Sequence, residues 1–134
     1  MQIVDHALLQ RAESGRPIRV GMIGAGFMAR GIALQMTGVV PGMELVAIAN
    51  RHVAGAQRAF EEAGVTGHVT VGSVGELEAA IADGRSAVTE DPLLLCRADG
   101  IDAIVEVTGA VEYGARVVLE AVDHGKHVVL SLIH

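Results

Sequence analysis

The chain is 134 residues long, which fits one domain, and 51% of its residues are hydrophobic, which is enough to form a core. Its apolar residues are mostly aliphatic, as in buried parallel strands that are covered by Ala-rich helices. A net charge of −6 argues against a general nucleic-acid surface and against an anionic-membrane surface.

Cys96 is the only cysteine, so a disulfide framework and a thiolate metal site are both excluded. We expect Cys96 to be a small buried hydrophobe rather than a catalytic thiol. No apolar run reaches membrane-spanning length, and residues 1–16 lack the apolar region of a signal peptide. A cytoplasmic location without a membrane partner is therefore expected.

Short apolar runs alternate with helical patterns along the chain, and Gly and Pro residues separate them. Residues 1–16 contain an amphipathic helix predicted over Ile3–Ser14, and residues 17–134 form one α/β domain. The predicted strands are Ile18–Ile23, Met43–Ala49, Ala87–Thr89, Ile101–Val107 and His127–Leu132. The predicted helices are Phe27–Thr37, Val53–Ala63, Val74–Asp83, Pro92–Cys96 and Val111–Asp123. The segment Val65–Ser73 is ambiguous and permits a short strand.

Two of the predicted helices begin with capping signals. Ser73 is a plausible N-cap, and Glu76 follows three residues later, as in a capping box. Asp91 precedes Pro92, which suits the first position of a helix.

The order of strands and helices predicts a doubly wound parallel sheet with right-handed crossovers, which is the Rossmann dinucleotide-binding fold. In such a sheet the ligand lies at the carboxyl ends of the strands, at the point where the strand order reverses.

The junction between the first strand and the first helix reads Gly24-Ala25-Gly26-Phe27-Met28-Ala29. A Gly-x-Gly-x-x-Ala pattern between a strand and a helix is typical of a dinucleotide-binding loop. Gly24 allows the sharp turn, Gly26 allows the backbone to approach the pyrophosphate, and Ala29 allows close packing of helix on strand.

Anion binding at this loop is expected to use the backbone. The N–H groups from about Gly26 to Met28 have no intrahelical partner, and the helix dipole places partial positive charge there. The alternative is a glycine-rich turn in an ordinary α/β domain.

The end of the second strand bears on the choice of dinucleotide. NAD-selective folds usually place Asp or Glu here to take the ribose hydroxyls, whereas this chain has Asn50 followed by Arg51. Asn50 does not repel a 2′-phosphate, and Arg51 can pair with one or stack on the adenine. We therefore predict a preference for NADP(H). The alternative is that Arg51 is a solvated residue and that Asn50 serves NAD.

The strand over Ile101–Val107 ends at the same side of the sheet as the glycine loop. Thr108 and Gly109 are placed to line the nicotinamide ribose and amide, although a plain strand-to-helix turn explains Thr108 equally well. Glu106 is either a buried carboxylate near the site or a side chain that projects past an edge. No catalytic role is assigned to it.

Lys126 and His127 stand side by side at the beginning of the last strand. The beginning of a parallel strand lies at the sheet end opposite the cofactor, so a structural role is favoured over a catalytic one. The six histidines show no metal-ligand spacing, and no metal site is predicted.

Several segments resemble the N-terminal NAD(P)-binding domain of homoserine dehydrogenase-like oxidoreductases. The similarity is to the branch with a C-terminal SAF domain, which includes the deoxyxylulose-phosphate reductoisomerase-like enzyme. The segments that carry it are Ile3–Ser14, Pro17–Gly26, Ile81–Asp91, Asp102–Gly109 and Ala121–Val129.

The resemblance implies a cytoplasmic oxidoreductase that uses NADP(H) on small hydroxy or oxo compounds. The cofactor-binding residues it implies are Gly24, Gly26, Phe27, Met28, Arg51, Thr108 and Gly109.

The chain ends in Ser131-Leu132-Ile133-His134, where members of that family continue into a substrate domain. We therefore expect a domain without its catalytic and substrate residues, which binds cofactor without turnover. The alternative is a nucleotide-sensing or protein-interaction module, and the edge of the last strand makes a homo-oligomer plausible.

Overall fold

Six strands form one parallel sheet in the part of the chain that the computed structural model describes, which is residues 17–38, 42–107, 117 and 119–130. The strands are β1 (Ile18–Ile23), β2 (Met43–Ala49), β3 (Val69–Thr70), β4 (Ala87–Thr89), β5 (Ala103–Glu106) and β6 (His127–Leu130). The helices are α1 (Phe27–Gly38), α2 (Val53–Glu62), α3 (Val74–Ala82) and α4 (Pro92–Arg97). Residues 117 and 119–123 are also helical and are called the helix before β6.

The strand order in the sheet is β3-β4-β2-β1-β5-β6. From β1 the chain moves outward to β2 and then to the edge strand β3, and β4 lies between β2 and β3. The chain then returns to place β5 on the other side of β1. Every neighbouring pair is parallel. The order therefore reverses between β1 and β5, which confirms the predicted doubly wound Rossmann fold.

The predicted elements agree closely with the structure where they are described. The bounds of β1, β2 and β4 are as predicted, and the helices differ by one residue at their ends. The ambiguous segment contains the two-residue strand β3. The predicted helix over Ile3–Ser14, the start of the helix predicted over Val111–Asp123 and the last residues of the final strand lie outside the described residues.

Strand β5 is shorter than the predicted strand Ile101–Val107. The N–H of Ile101 donates to the carbonyl of Ala98 at 3.3 Å, so Ile101 closes a turn instead of pairing in the sheet. The buried side chain of Ile101 still joins the core, which explains why its apolar character resembles that of a strand residue.

Helices cover both faces of the sheet, and each face has its own apolar core. One core contains residues of α1 and α2 packed on β1 and β2, such as Ala29, Phe60 and Met22. The other contains residues of α3, α4 and the helix before β6, such as Leu77, Leu95 and Ala121. Burial on both faces matches the aliphatic strands that the composition indicates.

A bulge interrupts the pairing of β1 with β2. Val20 pairs with Leu45 and the next residue, Gly21, pairs with Ala47, so Val46 is an extra residue. Val46 and Ala47 consequently belong to the same core, although adjacent strand residues normally face opposite sides.

Helix α4 packs directly over Gly21 in the middle of β1. A Cβ atom at Gly21 would lie 2.9 Å from Leu95 Cδ2 and 3.2 Å from Ile101 Cδ1. This glycine therefore permits the close approach of α4 to the central strand.

Both predicted caps are present. Ser73 Oγ accepts from the Glu76 N–H at 3.1 Å, and Asp91 Oδ1 accepts from the Leu93 N–H at 3.0 Å. The Glu76 carboxylate accepts from the N–H of Gly72 at 3.1 Å rather than from that of Ser73, so the capping box is displaced by one residue.

Cys96 is fully buried in the second core, as expected for a structural cysteine. Its thiol faces the carbonyl of Val117 in the helix before β6, with an Sγ–O distance of 3.8 Å. Burial, assisted by the nearby Glu120 carboxylate, raises the pKa of the Cys96 thiol from 9.0 to about 11.

We expect Cys96 to be inert to thiol reagents in the folded protein. The raised pKa lowers the thiolate fraction at pH 8 roughly 100-fold, and burial slows access further. Stopped-flow reaction with a chromogenic disulfide should therefore be at least about 100-fold slower for native protein than for urea-unfolded protein. Equal rates in the two states would contradict a structural role for this thiol.

Candidate dinucleotide-binding site

The candidate site lies at the carboxyl ends of the strands, beside the reversal of strand order between β1 and β5. Three backbone hydrogen bonds join the segments that leave these strands. The Gly24 N–H donates to Ala49 O at 2.8 Å, Asn50 N–H to Thr89 O at 2.9 Å, and Val107 N–H to Ile23 O at 3.0 Å. The residues after β1, β2 and β5 are thus held in register with the sheet.

Gly24 needs to be glycine because of its backbone conformation. Its φ is 112°, in a region that residues with a side chain rarely adopt, and its backbone is buried. This confirms the sharp turn that was predicted for the first glycine of the motif.

Gly26 has a different reason to be glycine. Its φ is not positive, and a Cβ added to it would meet no atom of the described residues within 4 Å. Neither backbone strain nor packing in the described part of the chain therefore requires glycine here. The open space above Gly26 suits a group that approaches the backbone from outside.

The N-terminus of α1 opens onto that space. Its first hydrogen bond runs from the Arg30 N–H to the Gly26 carbonyl at 3.0 Å, so the N–H groups of residues 26–29 precede the helical ladder. No acidic residue occupies the first turn of α1. The backbone of Phe27 and Met28 is therefore placed to donate to an anion.

Ala29 fills the third small position of the motif. It is 1% exposed and belongs to the core that contains Val20 and Met22 of β1. Helix α1 thus packs closely on the central strand, as the motif predicts.

Asn50 and Arg51 follow the end of β2, next to the glycine loop. The Asn50 amide nitrogen Nδ2 donates to the carbonyl of His52 at 2.8 Å. Arg51 and His52 are exposed, and the His52 side chain does not cap α2. The Arg51 guanidinium is therefore available to an anionic group at this edge.

Gly55 was not predicted as a site residue. It lies in the first turn of α2, and a Cβ added to it would lie 2.8 Å from Asn50 Nδ2 and 3.6 Å from Ala25 Cβ. The sequence feature that could have indicated Gly55 is a glycine in the first turn of a predicted helix, five residues after Asn50.

Two buried polar residues lie at the carboxyl ends of two strands that are separated in the sheet by β2 and β1. Thr89, 1% exposed at the end of β4, accepts from the Asp91 N–H through Oγ1 at 3.2 Å. Glu106, 2% exposed at the end of β5, pairs in register with Ile23. Of the two alternatives for Glu106, a buried carboxylate or a side chain that projects past an edge, the structure shows the first. Thr108 and Gly109 lie outside the described residues, and their predicted contacts stay predictions.

Lys126 lies at the opposite end of the sheet, as predicted. Its ammonium Nζ donates to the carbonyls of Ala98 and Ile101, the second at 2.8 Å, which ties the end of α4 to the start of β5. Burial lowers the pKa of Lys126. His127 is exposed.

A cleft of about 340 Å³ lies at this opposite end, and Lys126 and Asp102 are among its lining residues. The lysine is engaged by two backbone carbonyls, so its role is structural.

We expect Lys126→Met to weaken the fold and to leave dinucleotide affinity unchanged. The substitution removes two hydrogen bonds and leaves two carbonyl oxygens without their donor, which costs about 1–3 kcal/mol. Urea unfolding measures the loss, and fluorescence titration with NADPH below the unfolding transition measures affinity. A binding defect without a stability defect would place Lys126 in the site instead.

Other kinds of site are not found in the described ranges. Within residues 17–38, 42–107, 117 and 119–130, no group of three or more His, Cys, Asp or Glu side chains could hold a metal ion. None of the helices in those ranges is both long enough and apolar enough to cross a membrane.

A parallel sheet with reversed strand order and a Gly-x-Gly loop at the reversal defines a dinucleotide-binding Rossmann domain. The chain belongs to the GFO/IDH/MocA oxidoreductase family, whose NAD-binding Rossmann-fold model matches residues 18–131. It is therefore an NAD(P)-binding oxidoreductase domain of this type. No curated protein sequence matches the chain.

Solved structures support the same assignment. A myo-inositol dehydrogenase from Lactobacillus casei, in complex with NAD(H) and myo-inositol, is 26% identical with a TM-score of 0.62 over 85% of this chain and 28% of its own. A variant 3-ketoreductase from Actinomadura kijaniata, in complex with TDP-benzene and NADP, is 30% identical with a TM-score of 0.59 over 86% of this chain and 30% of its own.

This chain thus spans less than a third of the length of these solved structures. The comparisons show the GFO/IDH/MocA family, and they do not show the homoserine dehydrogenase-like branch that the sequence resembles.

Proposed function

We propose that this chain binds a nicotinamide dinucleotide for hydride transfer to or from a small hydroxy or oxo compound. The proposed contacts are the loop Gly24–Met28 with the pyrophosphate, and Asn50 with Arg51 at the adenosine end. Thr108 and Gly109 are proposed to line the nicotinamide side. The chemistry that the dinucleotide supplies is hydride donation or acceptance at its nicotinamide ring.

The observation that carries the proposal is the open space at Gly26 beside the N-terminus of α1. Gly26 has no positive φ, and no atom of the described residues lies within 4 Å of an added Cβ, yet Gly26 lies in the turn that leads into α1. The backbone donors at the start of α1 border the same space. A pyrophosphate fits both features, since it accepts hydrogen bonds and must approach the backbone closely.

We expect Gly26→Val to abolish dinucleotide binding while the domain stays folded. The valine side chain would occupy the space proposed for the pyrophosphate, and its Cβ would meet no atom of the described residues within 4 Å. Calorimetric titration with NADPH and NADH should show an affinity loss of roughly 100-fold or more, since several N–H contacts to an anion are removed.

Gly31→Val is the matched control for this experiment. Gly31 also lies in α1 and is exposed, and no atom in the described part of the chain lies within 4 Å of a Cβ added to it. Both variants should keep the wild-type unfolding temperature within a few degrees, and only Gly26→Val should lose affinity. Normal binding by Gly26→Val would overturn the proposed pyrophosphate position.

We further propose that the site prefers NADP(H) over NAD(H). No carboxylate stands at the end of β2 to repel a 2′-phosphate, and the exposed Arg51 guanidinium offers a fork of donors to one. The solved relatives include complexes with NAD(H) and with NADP, so this family accommodates either choice.

Arg51→Ala is expected to raise the Kd for NADPH roughly tenfold, the scale of one charge-assisted pair at a solvated site. The Kd for NADH should change by less than about twofold, because NADH has no 2′-phosphate for the guanidinium to pair with. Arg58→Ala removes an exposed arginine further along α2 and should change neither constant. Equal wild-type affinities for the two dinucleotides would contradict the preference.

The substrate and the acid–base groups of the reaction are proposed to lie outside this domain. The chain spans 28–30% of the length of these two solved relatives, which are complexes with myo-inositol and with TDP-benzene. The homoserine dehydrogenase-like resemblance likewise implies a small hydroxy or oxo compound. Hydride-transfer assays with a panel of hydroxy acids, hydroxy aldehydes and inositols, on a protein that contains this domain, test which of these classes is the substrate.

A nucleotide-sensing or interaction module is the second candidate function. In the described sheet β6 is an edge strand, and Leu119 and Val122 on the preceding helix are 73% and 61% exposed. Size-exclusion chromatography at several concentrations, with and without NADPH, tests whether the chain self-associates and whether nucleotide changes that state. The cytoplasmic location stays a prediction from the sequence.

A further inference from the structure

We propose that Gly55 is a positioning residue for the adenosine end of the dinucleotide. By lacking a Cβ, it leaves the space in which the Asn50 amide folds back onto α2. The amide oxygen Oδ1 of Asn50 is thereby presented to the ribose 3′-hydroxyl, which NAD and NADP share. This inference rests on the proposed dinucleotide function and adds a residue that the motif does not contain.

The first observation is the contact between Gly55 and Asn50. A Cβ built on Gly55 would lie 2.8 Å from Asn50 Nδ2 and 3.8 Å from Asn50 Cγ. The same Cβ would lie 3.6 Å from the Cβ of Ala25 in the glycine loop. The first turn of α2, the end of β2 and the glycine loop therefore meet at Gly55.

The second observation is that the backbone of Gly55 does not require glycine. Its φ is not positive, and it lies inside α2, where alanine is the more favourable residue. Its N–H donates to the His52 carbonyl at 3.0 Å, an ordinary bond of a first helical turn. Backbone conformation therefore gives no reason for glycine at this position. The close approach of the Asn50 amide does give one.

The hydrogen bonds around His52 fix the orientation of the Asn50 amide. Asn50 Nδ2 donates at 2.8 Å to the His52 carbonyl, which also accepts from the Gly55 N–H. Only the nitrogen end of the amide can face a carbonyl oxygen, because two acceptors repel each other. Oδ1 must therefore be the end that points away from α2.

The chemistry of Oδ1 selects its ligand. In the part of the chain that the structure describes, no donor bonds to Oδ1. An amide oxygen accepts a hydroxyl proton but repels the oxygens of a phosphate. We therefore assign the ribose 3′-hydroxyl, which both dinucleotides share, to Asn50 Oδ1. A 2′-phosphate would pair with Arg51 instead.

The test is a double-mutant cycle of Gly55→Ala and Asn50→Ala, with Kd measured for NADH and NADPH. A Cβ at 2.8 Å forces the flexible amide away from His52, so Gly55→Ala should weaken both dinucleotides roughly threefold to tenfold. Asn50→Ala should weaken both to a similar extent. The double variant should bind no worse than Asn50→Ala alone, because Gly55 acts through Asn50.

Gly75→Ala is the matched control. Gly75 is an exposed glycine in the first turn of α3, and a Cβ there would lie 4.0 Å from its nearest neighbour, Ser73 Oγ. This variant should leave both affinities unchanged. The side-chain amide resonances of Asn50, followed by NMR without nucleotide, should shift in Gly55→Ala and stay in place in Gly75→Ala.

Each outcome has a distinct meaning. Wild-type protein that binds neither dinucleotide overturns the proposed function and this assignment with it. Wild-type binding with an unaffected Gly55→Ala, or unshifted Asn50 resonances, overturns the positioning role alone. Additive losses in the double variant indicate a purely structural role for Gly55. A loss confined to NADPH overturns the assignment of Oδ1 to the shared hydroxyl.

Discussion

The site depends on one backbone arrangement, the turn at Gly24 that stays hydrogen-bonded to β2. The Gly24 N–H donates to the Ala49 carbonyl at 2.8 Å while the residue adopts a φ of 112°. The chain can therefore leave β1 abruptly and still be fixed to the neighbouring strand. Because α1 begins three residues later, this turn sets the direction of its N-terminus and of the N–H groups that precede its helical ladder. A side chain at Gly24 would strain the same residue that sets the geometry of the loop.

The two faces of the sheet contribute differently to that geometry. Helices α1 and α2 share one core, so the glycine loop before α1 and the segment Asn50–His52 before α2 are positioned by packing on the same face of the sheet. Helices α3 and α4 and the helix before β6 pack on the other face, where Gly21 lets α4 approach the central strand. The extra residue Val46 places two neighbouring side chains in that second core. The face that carries α1 and α2 therefore belongs to a sheet whose other face is also packed against helices.

Most of the strand and helix bounds could be predicted from the sequence, because interactions between residues close in the chain determine them. Strands β1, β2 and β4 are apolar runs bounded by polar or turn-forming residues, and the caps at Ser73 and Asp91 need only their own helices. The bulge at Val46 depends on the partner strand, so apolar character does not predict it. The turn at Ile101 is local, but the buried apolar side chain of Ile101 resembles that of a strand residue. The strand β3 has two residues, too few for an alternation to show. Gly55 was missed because its contact is with Asn50, a residue outside its own helix, and sequence spacing does not reveal where that amide folds.

The buried Lys126 has a consequence for the chemistry of the whole surface. It is the only lysine among the 134 residues, and its ammonium is held by two backbone carbonyls. Every other permanent side-chain cation is an arginine, which does not react with acylating reagents. In the folded chain the single side-chain amine is buried and engaged by these carbonyls, so amine-directed labelling, cross-linking and enzymatic acylation should be slow. Reaction at Lys126 would report that the end of α4 has separated from β5, so this residue is an internal reporter of local opening.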